Sequence, residues 1–275
     1  MALGPGLPWG LLAAAAVGLA AWRLGALPPG GAAAAAAVGG VIFGWGGAVA
    51  ALPLLFFFVT GSALSRWHKG RKSEQLDHAD HQGRRAGQVM ANGGVAAMAI
   101  VAGTVWPEPL WWTAYAGAIA AATADTWATE FGVLARRTVL ITTGAPAPPG
   151  RSGAVSLPGT LAGVAGALLV AAISAVGPGT GALAVAAGRI SVALSAAAGG
   201  ILGMVVDSIL GATIQARYFC PACNRDAESP VHRCGTRTRW AGGWPGVSND
   251  VVNFCATLTG AAAAALVCNL LLQAA

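Results

Sequence analysis

Charge is what this chain has least of. Only 9 % of its 275 residues are Asp, Glu, Lys or Arg, against 56 % hydrophobic. Soluble domains carry about 25 % charged residues, so this composition cannot clothe a water-facing surface and excludes a soluble globular protein. No lysine or arginine precedes the first apolar run, so residues 1–24 lack the basic start of a cleavable signal peptide and are expected to persist as a first helix. Neither a Walker A sequence nor a kinase glycine-rich loop is present, so a nucleotide would have to be held by other means. No clear internal repeat is found, which weighs against a transporter built from paired halves. Five cysteines are an odd count, and three fall in one short segment, which favours metal over disulfides.

Small apolar residues are abundant. Glycine alone supplies 40 positions, and small residues let transmembrane helices approach closely. Apolar stretches run over 7–21, 31–50, 54–64, 88–105, 110–125, 155–176, 190–210 and 251–272, with Pro53 expected to break the pattern between the second and third. The fifth is free to continue to Leu134. A span takes about 20 residues, so the expected fold is all-α: a polytopic transmembrane bundle of about eight spans (range 6–9). It forms a single integral membrane domain, 1–275, with a polar insertion over 213–247. Placing the 66–85 loop in the cytoplasm puts fifteen of the 16 Lys and Arg on that side, Arg189 being the exception. The positive-inside rule asks for this bias. It also accounts for the net charge of +6 without a nucleic-acid partner. The expected location is the bacterial inner membrane, with basic loops cytoplasmic and both termini outside.

Against this apolar background the acids stand out. Asp125 and Glu130 sit in Asp125-Thr-Trp-Ala-Thr-Glu130, Asp207 precedes Ser208, and Asp250 lies between Asn249 and Asn253 further on. An acid at the centre of a bilayer helix costs about 2.5–3.5 kcal/mol on insertion scales, so one that persists usually faces a cavity or a partner. The span count puts all four at the cytoplasmic boundary. Helical spacing groups Asp125 with Thr129, Thr126 with Glu130, and Arg84 with Gln88 and Asn92. Gly199, Gly203, Asp207, Gly211 and Gln215 form a further stripe. Carboxylates and carbonyls are hard ligands suited to Mg²⁺, which phosphates usually help to coordinate. Arg84, Arg85, Arg136 and Arg137 can pair with phosphate oxygens. Thr142, Thr143, Ser156 and Thr160 add hydroxyls, and Ser156 precedes a helix whose first amides favour anions. The plainer alternative is that these polar groups hydrogen-bond helices together.

A second constellation is Cys220-Pro-Ala-Cys223 followed by His232-Arg-Cys234. Three thiolates and an imidazole form a tetrahedral zinc set, and four protein ligands close the site, so the zinc would be structural. The alternative is a loop with unliganded thiols. Cys255 and Cys268 are expected to be packing residues. His68, His78 and His81, with Glu74, Asp77 and Asp80, read as a solvated mixed-charge face rather than another metal site. Trp106, Trp111, Trp112, Trp240 and Trp244 suit interfacial anchoring.

Several motifs occur in a recognisable order: Gly83-Arg-Arg-Ala-Gly-Gln88-Val-Met-Ala-Asn92-Gly93, Ala124-Asp125-Thr-Trp-Ala-Thr-Glu130-Phe-Gly132, Leu140-Ile-Thr-Thr143, Gly153-Ala-Val-Ser156-Leu-Pro-Gly159-Thr160, Asp207-Ser208 with Gly211-Ala212, and Asn249-Asp250 with Asn253. From about Gly31 to Val267 the chain resembles the transmembrane protein 19 family, which includes the phytyl-phosphate kinase of tocopherol synthesis. The resemblance implies an integral membrane kinase, Mg²⁺-dependent, passing a phosphate from a nucleoside triphosphate (CTP-like) to an isoprenyl monophosphate such as phytyl or geranylgeranyl phosphate. It implies Asp125, Glu130, Asp207 and Asp250 as the metal and phosphate residues. Arg84, Gln88, Asn92, Thr143, Ser156, Thr160, Ser208, Asn249 and Asn253 would line the same site. Gly150-Arg151-Ser152-Gly153 departs from the family's Gly-Thr-acid-Gly run, and the Cys/His segment looks like a bacterial variant. Two other classes compete: a transporter or lipid flippase using the acids for substrate or protons, and a scaffold whose zinc segment binds a partner.

Overall fold

The computed structural model describes residues 6–67, 84–177, 184–227, 229–232 and 234–274. His68, His78, His81, Glu74, Asp77 and Asp80 of the 66–85 loop, and Pro178 and Gly179 of the expected turn, lie outside them. The described helices are α1 (Leu7–Arg23), α2 (Pro29–Trp67), α3 (Ala86–Val105), α4 (Pro109–Gly132), α5 (Leu157–Ser174), α6 (Ala184–Thr213) and α7 (Asn249–Ala274). Five of them, α2, α3, α5, α6 from Gly188, and α7, are long and apolar enough to cross a bilayer, and α1 is a shorter apolar helix.

Helix α2 has 39 residues, about 58 Å at the usual rise, twice a hydrocarbon core of about 30 Å. It does not run straight. Gly47 has φ 68° and ψ −168°, a conformation essentially reserved for glycine, and there the helix doubles back. Gly31 lies against the Arg84 carbonyl while Gly61, thirty positions on, lies against the Arg84 guanidinium. Arg66 Nη2 also reaches the Leu24 carbonyl at 2.7 Å, at the level where α2 begins. Two antiparallel arms, residues 29–46 and 48–67, therefore stand where two spans are expected, so the bundle holds eight helical segments among the described residues. The break falls at Gly47 rather than Pro53, which the second arm accommodates inside its helix.

Helix α4 is the axis of the bundle, packed against α2, α3, α5, α6 and α7. Every residue from Trp112 to Ala124 is buried, which is why an Ala-rich sequence with two Thr and a Tyr suffices there: it meets protein, not lipid. The Tyr115 hydroxyl donates to the Ala50 carbonyl beside the α2 bend. Trp112 donates to the Ser174 carbonyl at 3.0 Å, so it is a buried tie between α4 and α5 rather than an interfacial anchor. Glycines set the tightest crossing: Gly117 of α4 and Gly199 of α6 both abut the Gly260 carbonyl of α7, and any side chain there would drive the three helices apart.

The connections at one end carry the few strands. β1 (Val139–Leu140) pairs antiparallel with β2 (Ala154–Val155), Val139 opposite Val155. β3 (Arg217–Cys220), β4 (Arg225–Ala227) and β5 (Arg239–Gly242) form an antiparallel sheet in the order β4-β3-β5 within the 213–247 insertion. Antiparallel passage of the crossings places the α1–α2, α4–α5 and α6–α7 connections and the start of α3 at this same end.

Candidate functional site

At that end a cavity of about 430 Å³ opens between the helix tips. Its wall is drawn from every helix except the body of α1: Ser62, Ser65 and Arg66 of α2, Arg84, Gln88 and Asn92 at α3, Asp125 to Glu130 of α4, Asp207 and Ser208 of α6, Asn249 and Asn253 of α7. The loop Gly150–Gly153 and the start of α5, with Ser156 and Thr160, complete it.

Local structure explains how each group is presented. Asp125 lies two turns inside α4 rather than at its end, and Asp207 lies six residues before the end of α6. The two carboxylates interact with each other, and the Arg84 guanidinium lies close enough to Asp125 to attract it. Asp207 Oδ2 is buried with no hydrogen-bond partner among the described residues. Such an atom is costly unless something fills the gap. Gly203 and Gly211 of the same stripe permit this depth: Gly203 meets the Ala256 carbonyl of α7, and Gly211 meets the Gly153 amide. Glu130 is buried and accepts from Ser65 Oγ at 2.6 Å. Gln88 Oε1 takes the Arg85 amide at 2.9 Å, closing the first turn of α3. Ser156 caps α5, its Oγ accepting from the Gly159 amide at 3.2 Å, so the positive end of that helix faces the cavity.

Of the thirteen expected acid and polar site residues, eleven line the cavity: Asp125, Glu130, Asp207, Arg84, Gln88, Asn92, Ser156, Thr160, Ser208, Asn249 and Asn253. Asp250 is adjacent, its carboxylate against Gly87 in the first turn of α3. Thr143 does not line it. It is exposed in the β1–β2 connection, where its Oγ1 accepts from the Ala145 amide at 3.3 Å. The arginines also differ from expectation. Arg85, Arg136 and Arg137 stay outside the wall, and Arg66, Arg84 and Arg151 form it. Arg151 Nε is buried without a partner among the described residues. Ser62, Ser65 and Arg66 are groups that sequence reasoning missed. Their i, i+3, i+4 spacing at the end of an apolar arm was the available signal.

The insertion assembles its own cluster. Cys220 ends β3, Cys223 follows in the turn to β4, and His232 and Cys234 precede β5. The four ligand atoms lie within 4.8 Å of one another. Cys220 Sγ is 3.7 Å from Cys234 Sγ, and Cys223 Sγ is 3.6 Å from His232 Nδ1. Tetrahedral bonds of about 2.3 Å to sulfur imply sulfur–sulfur edges of about 3.8 Å, so the set can hold a metal ion. Hydrogen bonds with Thr236 and His232 hold the Cys234 thiol down at about 6, whereas contact with Cys234 and burial push Cys223 up to about 11. Backbone bonds from Trp244 to Ile214 and from Ala216 to Val247, each 2.8 Å, clamp the sheet to the ends of α6 and α7. Cys268 is buried and Cys255 half-buried within α7, as packing residues.

Apolar helices of spanning length around a polar cavity at one end define a polytopic integral membrane protein. The chain matches the family described as Integral membrane protein DUF92 over residues 12–261, and it belongs to that family, the one its motifs resemble. It is 32 % identical to Protein PGR of Arabidopsis thaliana, over 74 % of this chain and 76 % of that one. An uncharacterized membrane protein of Synechocystis is 32 % identical over 78 % of this chain and 71 % of its own. Another, from Methanocaldococcus jannaschii, is 34 % identical over 59 % of this chain, and the match spans 63 % of that relative's length. No solved structure matches.

Proposed function

We propose that this protein is a membrane kinase that transfers the γ-phosphate of a nucleoside triphosphate to an isoprenyl monophosphate at the cytoplasmic face. One observation carries the reading: the carboxylates of Asp125 and Asp207 meet in a cavity that three arginines also line. The unpartnered Asp207 Oδ2 and Arg151 Nε are a carboxylate oxygen and a guanidinium donor left unfilled in one wall. Mg²⁺ with phosphate oxygens satisfies both.

The division of labour follows from charge. Asp125 and Asp207 would hold Mg²⁺, which supplies charge neutralisation across the phosphates when bound. Arg66, Arg84 and Arg151 take phosphate oxygens, and the α5 N-terminus adds its dipole. The attacking group is an oxygen of an already ionised phosphate. It bonds to the γ-phosphorus, the bridging oxygen leaves with the nucleoside diphosphate, and no side chain needs to remove a proton. Phosphoryl transfer of this kind is mostly positioning and charge stabilisation, which the carboxylates and arginines of this wall supply. Glu130, fixed by Ser65, and Gln88, fixed by Arg85, orient the wall. Zinc on Cys220, Cys223, His232 and Cys234 would be structural, holding the sheet that joins α6 to α7.

A transporter reading is less well supported, because every cavity residue belongs to the loop-bearing end and none to the opposite one. The test is purified protein with phytyl or geranylgeranyl monophosphate, Mg²⁺, and CTP, ATP or GTP in turn. Diphosphate product is expected with at least one nucleotide. Its absence from every pairing, together with substrate movement across vesicles, would overturn the kinase in favour of transport.

A further inference from the structure

Beside the polar cavity lies a second one of different chemistry. It has a volume of about 320 Å³ and runs between α1, both arms of α2 and the start of α3. Of its lining residues only Arg84 and Asn92 are polar, and both also line the polar cavity. The two spaces therefore share a wall at those two side chains. The Arg84 guanidinium stands 4.7 Å over the ring of Phe57, itself a groove residue, so the cation sits at the junction.

The groove is made by small residues. Ala14, Gly18, Ala35, Gly39, Ala48 and Ala51 supply walls where larger side chains would fill the space. Along the second arm of α2 the lining runs from Ala48 to Phe58, about 15 Å at 1.5 Å per residue, or half of a hydrocarbon core. We infer that this groove binds the tail of a single-chain isoprenoid phosphate, with the phosphate at Arg84 and Asn92 and the chain running toward the α2 bend. The inference rests on the phosphotransfer reading only for the phosphate head. An apolar groove walled by small residues, ending at a guanidinium that borders a polar cavity, matches an amphiphile with an apolar tail and an anionic head.

Two measurements test this separately from catalysis. In the first, a diazirine placed on the tail of a farnesyl monophosphate labels wild-type protein in nanodiscs, and the labelled residues are mapped by mass spectrometry. Label on Ala14, Phe43 or Leu55, displaced by unlabelled geranylgeranyl monophosphate, is expected. Label spread over lipid-facing residues such as Leu168 and Leu266, or displaced equally by phosphatidylglycerol, overturns the groove. In the second, affinity for geranyl, farnesyl and geranylgeranyl monophosphates is compared between wild type, Ala48→Phe and Ala51→Phe, both substitutions lying near the α2 bend at the far end of the groove. Wild type is expected to gain roughly tenfold or more across the series. The variants should keep geranyl affinity and lose that gain; a profile identical to wild type in both variants contradicts the proposal. Mapped label without any diphosphate product would leave the groove standing and remove the kinase. Diphosphate product with scattered label would do the reverse.

Discussion

Asp207 shares its depth in the bundle with Asp125, and neither carboxylate is explained by helix packing. Two carboxylates so placed repel unless a proton or a cation is shared between them, so a buried pair costs stability. Asp207→Asn should therefore reduce diphosphate formation by roughly a hundredfold or more, in the range of removing one transition-state electrostatic group. The melting temperature without Mg²⁺ should stay equal or rise. A matching loss of melting temperature would assign Asp207 a structural role. Ser65 is the opposite case. Its 2.6 Å bond reaches Oε1 of buried Glu130, so Ser65→Ala should cost about 1–3 kcal/mol, read as an earlier thermal transition in detergent. At this scale the sequence announced the acids, because a carboxylate in apolar surroundings is conspicuous. It hid Ser62, Ser65 and Arg66, because a serine near the end of an apolar helix is ordinary. It also misassigned the arginines. Arg136 and Arg137 are as basic as Arg84 and Arg151, and only the path of the chain decides which side of the wall each occupies.

Elements were legible where composition dictates them and obscure where a single backbone angle does. The long apolar runs marked α3, α5, α6 and α7 to within a few residues. The α2 reversal rests on one φ value, and the sequence pointed instead to Pro53, the residue whose chemistry most often breaks a helix. Gly47→Ala should cost about 1–3 kcal/mol, the usual strain of a non-glycine residue in that region, while Gly46 and Gly47 remain distinguishable by their separate alanine variants. Helix α4 was the least typical span on sequence because it never meets lipid, so its low hydropathy reflects burial in protein. The Cys/His insertion was readable from spacing alone, since ligands two residues apart in a turn leave little choice of geometry. Cys220→Ala and Cys223→Ala should each lose bound zinc by elemental analysis, and chelation should unfold the β3–β5 sheet without unfolding the helices, seen as retained helical circular dichroism. Equal metal in wild type and both variants would refute the site.

The whole molecule gathers the tips of helices distant in sequence into one polar chamber at one end of the bundle. If the positive-inside rule sets the orientation, the basic chamber end faces the cytoplasm. A single cysteine placed at Thr143 and another at Trp244, in a background lacking native thiols at the surface, should react from the cytoplasmic side. One at Glu108, in the α3–α4 turn, should react from outside. A polytopic helical bundle was legible in the sequence, because a bilayer allows few arrangements of apolar helices. That Asp125 and Asp207 share one site was expected from their common depth and the family resemblance, but which helix crossing seats them side by side was not: the Gly117–Gly199–Gly260 contact is a property of three helices at once. The most direct test of that convergence is Mn²⁺ binding followed by electron paramagnetic resonance in the presence of nucleotide, with wild type, Asp125→Asn, Asp207→Asn and the double variant. A single site built by both carboxylates predicts that either substitution abolishes the bound signal and that the double variant loses no more than each alone. Binding that survives both substitutions, or losses that simply add, would mean the two acids do not share a cation.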